Sequence, residues 1–573
     1  MNRPIVALIL IGLLSLFPAS NASAGSSVDN GERLIHHLPT TDTFYMPLMA
    51  VVEAATHNHM VVDPAAFRWS ESVLLAALAA LLRPSGGLPA AAALLALRFL
   101  GGNMQSAGLD EEAPFALLVL LVAGLMAWRS RRPTLVKTFL LSVAIGVSLL
   151  YRSPLAFFPF VLAGFEAGTL GRRGARRAHW PHTLILCVVP YFFLIPWMRF
   201  NRVVHGEAVI FENHAADANI AAAALGGRAA TMEGDWTYLL PVEKRAAAAD
   251  GAIRWAAGEI SAHPFRYIRG FFERIIWVIS MHPLLWLLAM MAAWIFREEQ
   301  EIRELGLLAL YFTLIHCCMA IQPRYFEPLW PLLAALCGSL ASPWAAQETR
   351  LAGFDEFLRR LARLSVLTAL SAALAVCMYV EVLLIADARP SSSAPPVEQT
   401  LDDALRLYPR DAWLFGERGA LRLQNGQWTG AAADLAAAAA LRPLDSELQL
   451  KAAWAQALKG GKNWQNSSFI NTPLKKIALV LRGAMLLRQG RISQAREDFS
   501  SAHKIRVFQA REDLKNEVNG SDPYRLQIES GDYAGFVGTI EHEWIRSLPP
   551  EERLRVMREL TRLDPLLQSR PGS

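Results

Sequence analysis

The chain changes character at the stretch Ala388-Arg-Pro-Ser-Ser-Ser-Ala-Pro-Pro396. Before it, residues 1 to about 385 carry long apolar runs separated by short basic loops, as membrane-spanning helices do. After it, apolar and charged residues alternate with the spacing of soluble helices. Because Ser/Pro-rich segments connect domains, the sequence predicts a linker at 388–397 between a membrane domain and a soluble domain at 398–573.

The composition favours a membrane protein. Of the 573 residues, 53% are hydrophobic, and the mean hydropathy is positive. The net charge of +5 lies largely in short loops, so it indicates topology and gives no support for nucleic-acid binding. Cysteines that all lie in apolar runs leave the soluble parts without a disulfide framework or a thiolate metal site. These cysteines are Cys187, Cys317, Cys318, Cys337 and Cys377.

The apolar segments predict an all-α protein whose first part is a polytopic transmembrane helical bundle of about 10–11 spans. Residues 1–24 combine Arg3, an apolar run and Ala22-Ser23-Ala24, which fits either a cleavable signal peptide or a first transmembrane helix. The transmembrane domain then covers 25–387. Its predicted spans are 71–83, 88–100, 114–128, 135–151, 154–170, 182–198, 275–296, 305–321, 326–343 and 364–385.

The basic loops orient these spans. Four arginine clusters fall on one side of the predicted topology, and the positive-inside rule assigns that side to the cytoplasm. The clusters are Arg129/Arg131/Arg132, Arg172/Arg173/Arg176/Arg177, Arg297/Arg303 and Arg350/Arg359/Arg360/Arg363. The loops 25–70 and 199–274 are then external, together with the C-terminal domain. This predicts a multi-pass protein of the inner (cytoplasmic) membrane with its C-terminal domain in the periplasm.

Four external arginines lie at span ends, at the depth of lipid phosphates. They are Arg152, Arg199, Arg202 and Arg324. A guanidinium group binds phosphate oxygens through paired hydrogen bonds, so these residues are candidates for a phosphate site. Snorkelling or simple headgroup anchoring is the alternative for any one of them.

The segments around these arginines resemble three recurrent stretches of the C-superfamily membrane glycosyltransferases, which include protein mannosyltransferases and aminoarabinose transferases. The segments are Ser148-Leu-Leu-Tyr-Arg-Ser-Pro-Leu-Ala-Phe-Phe-Pro159, Pro196-Trp-Met-Arg-Phe-Asn-Arg-Val-Val-His-Gly206 and Gln322-Pro-Arg-Tyr-Phe-Glu-Pro-Leu-Trp-Pro331. The resemblance covers roughly residues 30–345 and implies sugar transfer from a polyprenyl-phosphate donor. It implies that the donor phosphate is held by Arg152, Arg199, Arg202, Arg324 and Tyr325.

The same resemblance places an acidic residue in the first external loop, where Thr41-Asp-Thr-Phe-Tyr-Met-Pro-Leu48 stands. It implies that Asp42 is the catalytic base, because a carboxylate that takes the acceptor's proton increases its nucleophilicity. The alternative is that Asp42 caps a helix over 43–55. This sequence lacks the second acid that many members carry directly after the aspartate, and Phe200 separates Arg199 from Asn201.

Other polar residues extend the candidate site. Asp110, Glu111 and Glu112 either act as a second acid, hold a divalent cation against the lipid phosphate, or form a solvated loop. His205 and His316 lie beside the arginine stretches and are candidates for substrate contacts. The pairs His36/His37 and His57/His59 have poor spacing for a metal site, so no metal is assigned and a divalent cation is the only cofactor considered.

Two further features concern the external parts. Residues 261–276 alternate aromatic and arginine faces, which predicts a helix lying at the membrane interface. Beyond the linker, Tyr408-Pro-Arg-Asp411 and Arg442-Pro-Leu-Asp445 lie 34 residues apart, and Arg418-Gly-Ala-Leu-Arg-Leu-Gln-Asn-Gly426 matches Arg482-Gly-Ala-Met-Leu-Leu-Arg-Gln-Gly490. The segment resembles tetratricopeptide repeats and predicts an α-solenoid, whose concave surface would suit a protein partner.

The leading hypothesis is therefore a glycosyltransferase that moves a sugar from a polyprenyl-phosphate donor to an envelope lipid, glycan or protein. One alternative is an O-antigen ligase or polymerase, which would concentrate its arginines in the one long external loop. Another is a non-catalytic membrane-anchored scaffold for envelope protein assembly, in which the arginines would lie far apart and face lipid.

Overall fold

Every regular element that the computed structural model describes is helical, as the sequence predicts. The structure describes residues 26–40, 45–57, 64–83, 109–171, 180–212, 216–228, 251–341, 352–388, 397–443, 446–460, 475–502, 548 and 550–561. The chain forms two compact units, 1–231 with 252–393, and 232–251 with 394–573. The boundary at Ser393/Ala394 falls inside the Ser/Pro stretch, where few helix-forming residues occur.

The described α-helices of the first unit follow one another with short connections. They are α1 (Ser26–Ile35), α2 (Pro47–His57), α3 (Pro64–Leu82), α4 (Leu109–Arg131), α5 (Leu135–Tyr151), α6 (Phe158–Gly171), α7 (Trp180–Phe192), α8 (Leu194–Val204), α9 (Asp217–Ala224), α10 (Ala252–Ala262), α11 (Pro264–Met281), α12 (Pro283–Ile295), α13 (Gln300–Cys317), α14 (Leu329–Gly338) and α15 (Ala352–Asp387). One apolar core joins α2 to α7 and α12 to α15.

Three helical segments of the described chain are long and apolar enough to cross a membrane: Glu112–Arg131, Trp180–Val204 and Glu356–Asp387. The pair α11 and α12 would supply a fourth if it formed one broken span. Several other predicted spans are shorter apolar helices, among them α5. Membrane association is thus supported, whereas the 10–11 crossings stay a prediction.

Exposed apolar stripes on the long helices agree with a lipid environment. On α12, Leu284, Leu287 and Trp294 are exposed at helical spacing, while Leu285 and Ala289 are buried on the opposite face. The same division occurs along α7 and α15. A helix with one face in the protein core and the other face apolar and exposed requires an apolar solvent, which a bilayer supplies.

The predicted span 275–296 is interrupted. α11 and α12 meet at an angle of 97° because His282 leaves the helical conformation, with φ −142° and ψ 66°. Pro283 then occupies the first turn of α12, where its missing N–H costs nothing. α11 exposes Phe265, Phe272 and the ion pair Arg269–Glu273. This distribution fits the interfacial helix predicted from 261–276.

Helix α1 and helix α2 flank the loop that contains Asp42. They cross so closely at Gly31 that a Cβ atom there would lie 2.0 Å from the Ala50 carbonyl oxygen and 2.8 Å from Ala54 Cβ. α2 begins at Pro47, after the non-helical Tyr45 and Met46, and not at 43 as the sequence predicted. The N-cap position of this helix is therefore Met46, so Asp42 does not cap it.

The second unit consists of paired helices joined by tight turns. The described helices are α16 (Val397–Leu407), α17 (Ala412–Gln424), α18 (Trp428–Leu441), α19 (Ser446–Leu458), α20 (Lys475–Arg488) and α21 (Pro550–Thr561), and residues 492–502 are helical too. Gly426 and Gly490 end their helices with φ of 73° and 77°, a conformation that glycine adopts without strain.

The two segments that match in sequence also match in their contacts. A Cβ at Gly419 would lie 2.7 Å from Leu435, and one at Gly483 would lie 2.4 Å from Phe499. The carboxylate of Asp434 accepts hydrogen bonds of 3.0 and 2.6 Å from Arg418. Asp498 accepts bonds of 2.7 and 2.5 Å from Arg482 in the same way. These helix pairs are thus repeats of one packing unit, and the tetratricopeptide assignment remains a prediction.

We expect Asp434→Ala to destabilise the second unit by about 3 kcal/mol, because breaking a buried ion pair leaves its partner charges uncompensated. Asp434 is 4% exposed and also accepts a 2.8 Å bond from Arg422. Its hydrogen bond raises the pKa of Arg418 above the ordinary value, so the arginine stays charged when the carboxylate is lost. Asp403, exposed and paired only with Arg406 in the described chain, is the control. Asp403→Ala should change the unfolding free energy by less than about 0.5 kcal/mol, and equal urea midpoints for the two variants would contradict the expectation.

Candidate functional site

Arg152 lies where helix α5 ends. Its backbone is extended, its N–H donates to the Ser148 carbonyl at 2.8 Å, and a short 3₁₀ turn, Ser153–Leu155, follows. The Arg152 guanidinium forms an ion pair with Glu112, whose side chain on α4 is 1% exposed. A predicted phosphate ligand and a predicted second acid are therefore partners. Asp110 and Glu111 lie in the first turn of α4, but their side chains are outside the described residues.

Aromatic contacts bring α13 to the same place. The ring of Phe115 on α4 stacks on Tyr151, with 6.2 Å between ring centroids, and lies at the same distance from Phe312. Phe312 in turn contacts His316 with centroids 4.3 Å apart. These rings pack the residues next to Glu112 and Arg152 against the last turns of α13, which positions His316 close to the ion pair.

His316 is buried, and the charge of Arg152 acts on it. Its Nδ1 lies 2.8 Å from the Phe312 carbonyl oxygen. A carbonyl oxygen only accepts, so Nδ1 carries the hydrogen. In the neutral imidazole Nε2 is then an acceptor, which suits His316 to receive a hydrogen bond from a hydroxyl group of a substrate.

Arg324 and Tyr325 lie in a 3₁₀ turn, Pro323–Phe326, beside His316. The Arg324 guanidinium carbon is 5.6 Å from the centre of the Tyr325 ring, and the His316 and Tyr325 ring centroids are 6.1 Å apart. The Tyr325 hydroxyl accepts a 3.1 Å hydrogen bond from Asn219 Nδ2. The first and third of the resembling stretches therefore meet around His316.

Part of the long external loop is fastened to this turn. The N–H groups of Ala320 and Ile321 donate to the carbonyls of Asn219 and Arg228, each at 3.0 Å. Arg274 of α11 is fully buried and donates to Cys317 O at 2.8 Å and to Gly227 O at 2.5 Å. The sequence analysis did not single out Arg274, although an arginine on the face opposite the exposed apolar stripe of an interfacial helix was a usable signal.

The second resembling stretch meets the first loop. His205, at the end of α8, lies 2.8 Å from the Thr40 hydroxyl through Nε2. This bond brings the segment before Asp42 to α8. Asp42 itself lies outside the described residues. Another acid not foreseen from sequence, Glu212, accepts a 3.3 Å bond from the Ser153 N–H and so lies next to Arg152 in the chain.

Arg199 and Arg202 do not join this cluster in the described structure. Both are exposed on α8, whereas Trp197, Phe200 and Asn201 on its other face are buried. Residues 199 and 202 are three apart and therefore share one helix face. The three-stretch phosphate site predicted from sequence is thus present as two groups: Arg152, Glu112, His316 and Tyr325 together, and the two α8 arginines apart.

Neither a metal site nor a second catalytic pocket adds to the picture. Among the described residues no group of three or more His, Cys, Asp or Glu side chains could hold a metal ion. A surface pocket of about 380 Å³ lies in the second unit, lined by Arg422, Trp428 and Lys459 among others. It contains none of the predicted site residues. No known family, curated protein or solved structure matches this chain.

Proposed function

We propose that the first unit is a glycosyltransferase that moves a sugar from a polyprenyl-phosphate donor to an envelope acceptor at the periplasmic face of the inner membrane. The observation that carries the proposal is the meeting of Arg152, Glu112, His316 and Tyr325, which come from three distant parts of the chain. A buried arginine–carboxylate pair at the end of apolar helices is costly unless it serves a purpose.

The chemistry proceeds in one displacement. Asp42 takes the proton of the acceptor hydroxyl as its oxygen attacks the anomeric carbon of the donor. The bond from that carbon to the phosphate oxygen breaks, and its electron pair leaves on the phosphate. Arg152 and Arg324 stabilise the charge that develops on this leaving group, which departs as polyprenyl phosphate with inversion at the sugar. His316 Nε2 accepts a hydrogen bond from a sugar or acceptor hydroxyl.

The repeat unit has a supporting role in this proposal. Stacked helix pairs offer an extended surface for proteins, and attachment directly after α15 keeps that surface near the membrane. We infer that it gathers the acceptor or a protein partner.

One observation favours the scaffold alternative: Arg199 and Arg202 are exposed on α8 and apart from Arg152. Lipid-headgroup anchoring would explain those two residues without catalysis. It does not explain the buried pair of Arg152 with Glu112.

The test is a transfer assay with the full-length protein in proteoliposomes, supplied with a panel of polyprenyl-phosphate hexoses and pentoses and with envelope extracts as acceptor. We expect release of polyprenyl phosphate, and a rate about a hundredfold lower for Asp42→Asn because a general base is lost. Asp29→Asn, which changes an acid of the same external segment that pairs with Arg33, is the matched control.

The two levels of the proposal fail separately. If no donor yields polyprenyl phosphate with the wild-type protein, glycosyl transfer is wrong. If the wild type transfers sugar and Asp42→Asn and Arg324→Ala retain its rate, the function stands and the site assignment is wrong.

A further inference from the structure

A second cluster of cations lies outside the candidate site, where α4 ends and α5 and α15 begin. It consists of Arg132, Lys137 and Arg363, and the charges of both arginines act on Lys137. α15 packs against α4 and α5. A Cβ at Gly124 of α4 would lie 3.1 Å from Val366, one turn from Arg363. Three segments therefore hold three positive charges close together.

Neutralisation of this cluster within the described chain is incomplete. Lys137 Nζ donates to the backbone oxygens of Trp128 at 3.2 Å and Arg132 at 2.9 Å, which carry no net charge. Arg363 lies 3.9 Å from Glu356, which also binds Arg360 at 3.2 Å. Arg363 Nε is buried and has no hydrogen-bond partner among the described residues. One carboxylate thus serves a group of four cations.

The surface next to the cluster is apolar. On α5, Val136 is 67% exposed and Phe139 49% exposed. On α15, Phe357, Leu361 and Leu364 are exposed as well. Cations at the head of an exposed apolar face match a molecule with an anionic head and hydrocarbon tails. A free inorganic anion would gain nothing from the apolar side chains.

We propose that Arg132, Lys137 and Arg363 bind the phosphate of an anionic phospholipid whose acyl chains lie on the exposed apolar residues of α5 and α15. The site is on the basic-loop side of the predicted topology, at the opposite ends of α4 and α5 from Arg152. It is independent of the sugar-transfer proposal, because it uses none of the residues assigned to donor or acceptor.

The experiment is a lipid titration of the full-length protein in detergent, followed by native mass spectrometry. The probes are phosphatidylglycerol, phosphatidylcholine with the same acyl chains, and inorganic phosphate. We expect phosphatidylglycerol to bind more tightly than phosphatidylcholine. Arg363→Gln should weaken its binding about fivefold, and combined Arg132→Gln, Lys137→Gln and Arg363→Gln about a hundredfold, while Arg363→Lys stays near wild type.

A triple variant at Arg254, Arg269 and Arg297, each changed to Gln, removes the same charge from exposed positions elsewhere. Retained phosphatidylglycerol affinity in this control supports the site. The proposal is overturned if both triple variants lose affinity equally, if phosphatidylcholine binds as tightly as phosphatidylglycerol, or if millimolar inorganic phosphate displaces the lipid completely.

Discussion

Replacing Arg152 by alanine should lower the rate of sugar transfer about a thousandfold. Removal of one preorganised donor to a developing negative charge costs two to three orders of magnitude in rate. The substitution also leaves Glu112, 1% exposed, with a buried negative charge that repels the donor phosphate. The transfer assay in proteoliposomes measures the rate, and the amount of protein in the membrane is measured alongside.

A second substitution separates catalysis from folding. In the double variant Arg152→Ala, Glu112→Gln, the buried charge is gone, so we expect normal protein levels together with the same low rate. Recovery of activity in the double variant would show that Arg152 only balances Glu112. Arg269→Ala, which breaks an exposed ion pair with Glu273 on α11, is the matched control and should keep its rate within about twofold.

Gly31→Ala should displace helix α1 from helix α2 and inactivate the protein. The added Cβ would lie 2.0 Å from the backbone oxygen of Ala50, and a backbone atom in a helix cannot move aside alone. Overpacking of this kind costs about 1–3 kcal/mol, more than the helix propensity gained by alanine. Since the loop between these helices carries Thr40 and Asp42, we expect the bond from Thr40 to His205 to be lost.

Hydrogen exchange of α1 and α2, together with the transfer rate, measures this effect. We expect faster exchange in both helices and a rate at least tenfold lower. Gly164→Ala on α6 is the control, because no atom lies within 4 Å of the position that its Cβ would take. Unchanged exchange in Gly31→Ala would mean that α1 and α2 pack differently from this description.

The helical fold was predictable because its signals are local. Apolar runs predicted helices such as α4, and the match between Arg418–Gly426 and Arg482–Gly490 predicted two equivalent helix pairs. The errors are local too. Pro283 was a visible helix-start signal that the continuous span 275–296 passed over. Within α8, the apolar spacing of Trp197 and Phe200 already placed Arg199 and Arg202 on the opposite face.

The candidate site was predictable only as a list of residue types. Sequence reasoning selected Arg152, Glu112 and His316 from the chemistry of their side chains and their places at span ends. It did not predict that Arg152 pairs with Glu112, 40 residues earlier, or that His205 bonds to Thr40 across 165 residues. It gave no role to Arg274, which joins α11 to α13 and to the loop at Gly227.

The sequence by itself determined that this chain is helical, that it divides near 388–397 into an apolar and a repeat-bearing part, and that its polar residues of interest stand at helix ends. Periodicity, proline position and composition act over a few residues, so one dimension is enough to decide them. The tertiary structure alone decided which charges face one another. That outcome depends on how helices rotate and cross, as at Gly31 and Gly124, and is fixed by side-chain packing between segments far apart in the chain.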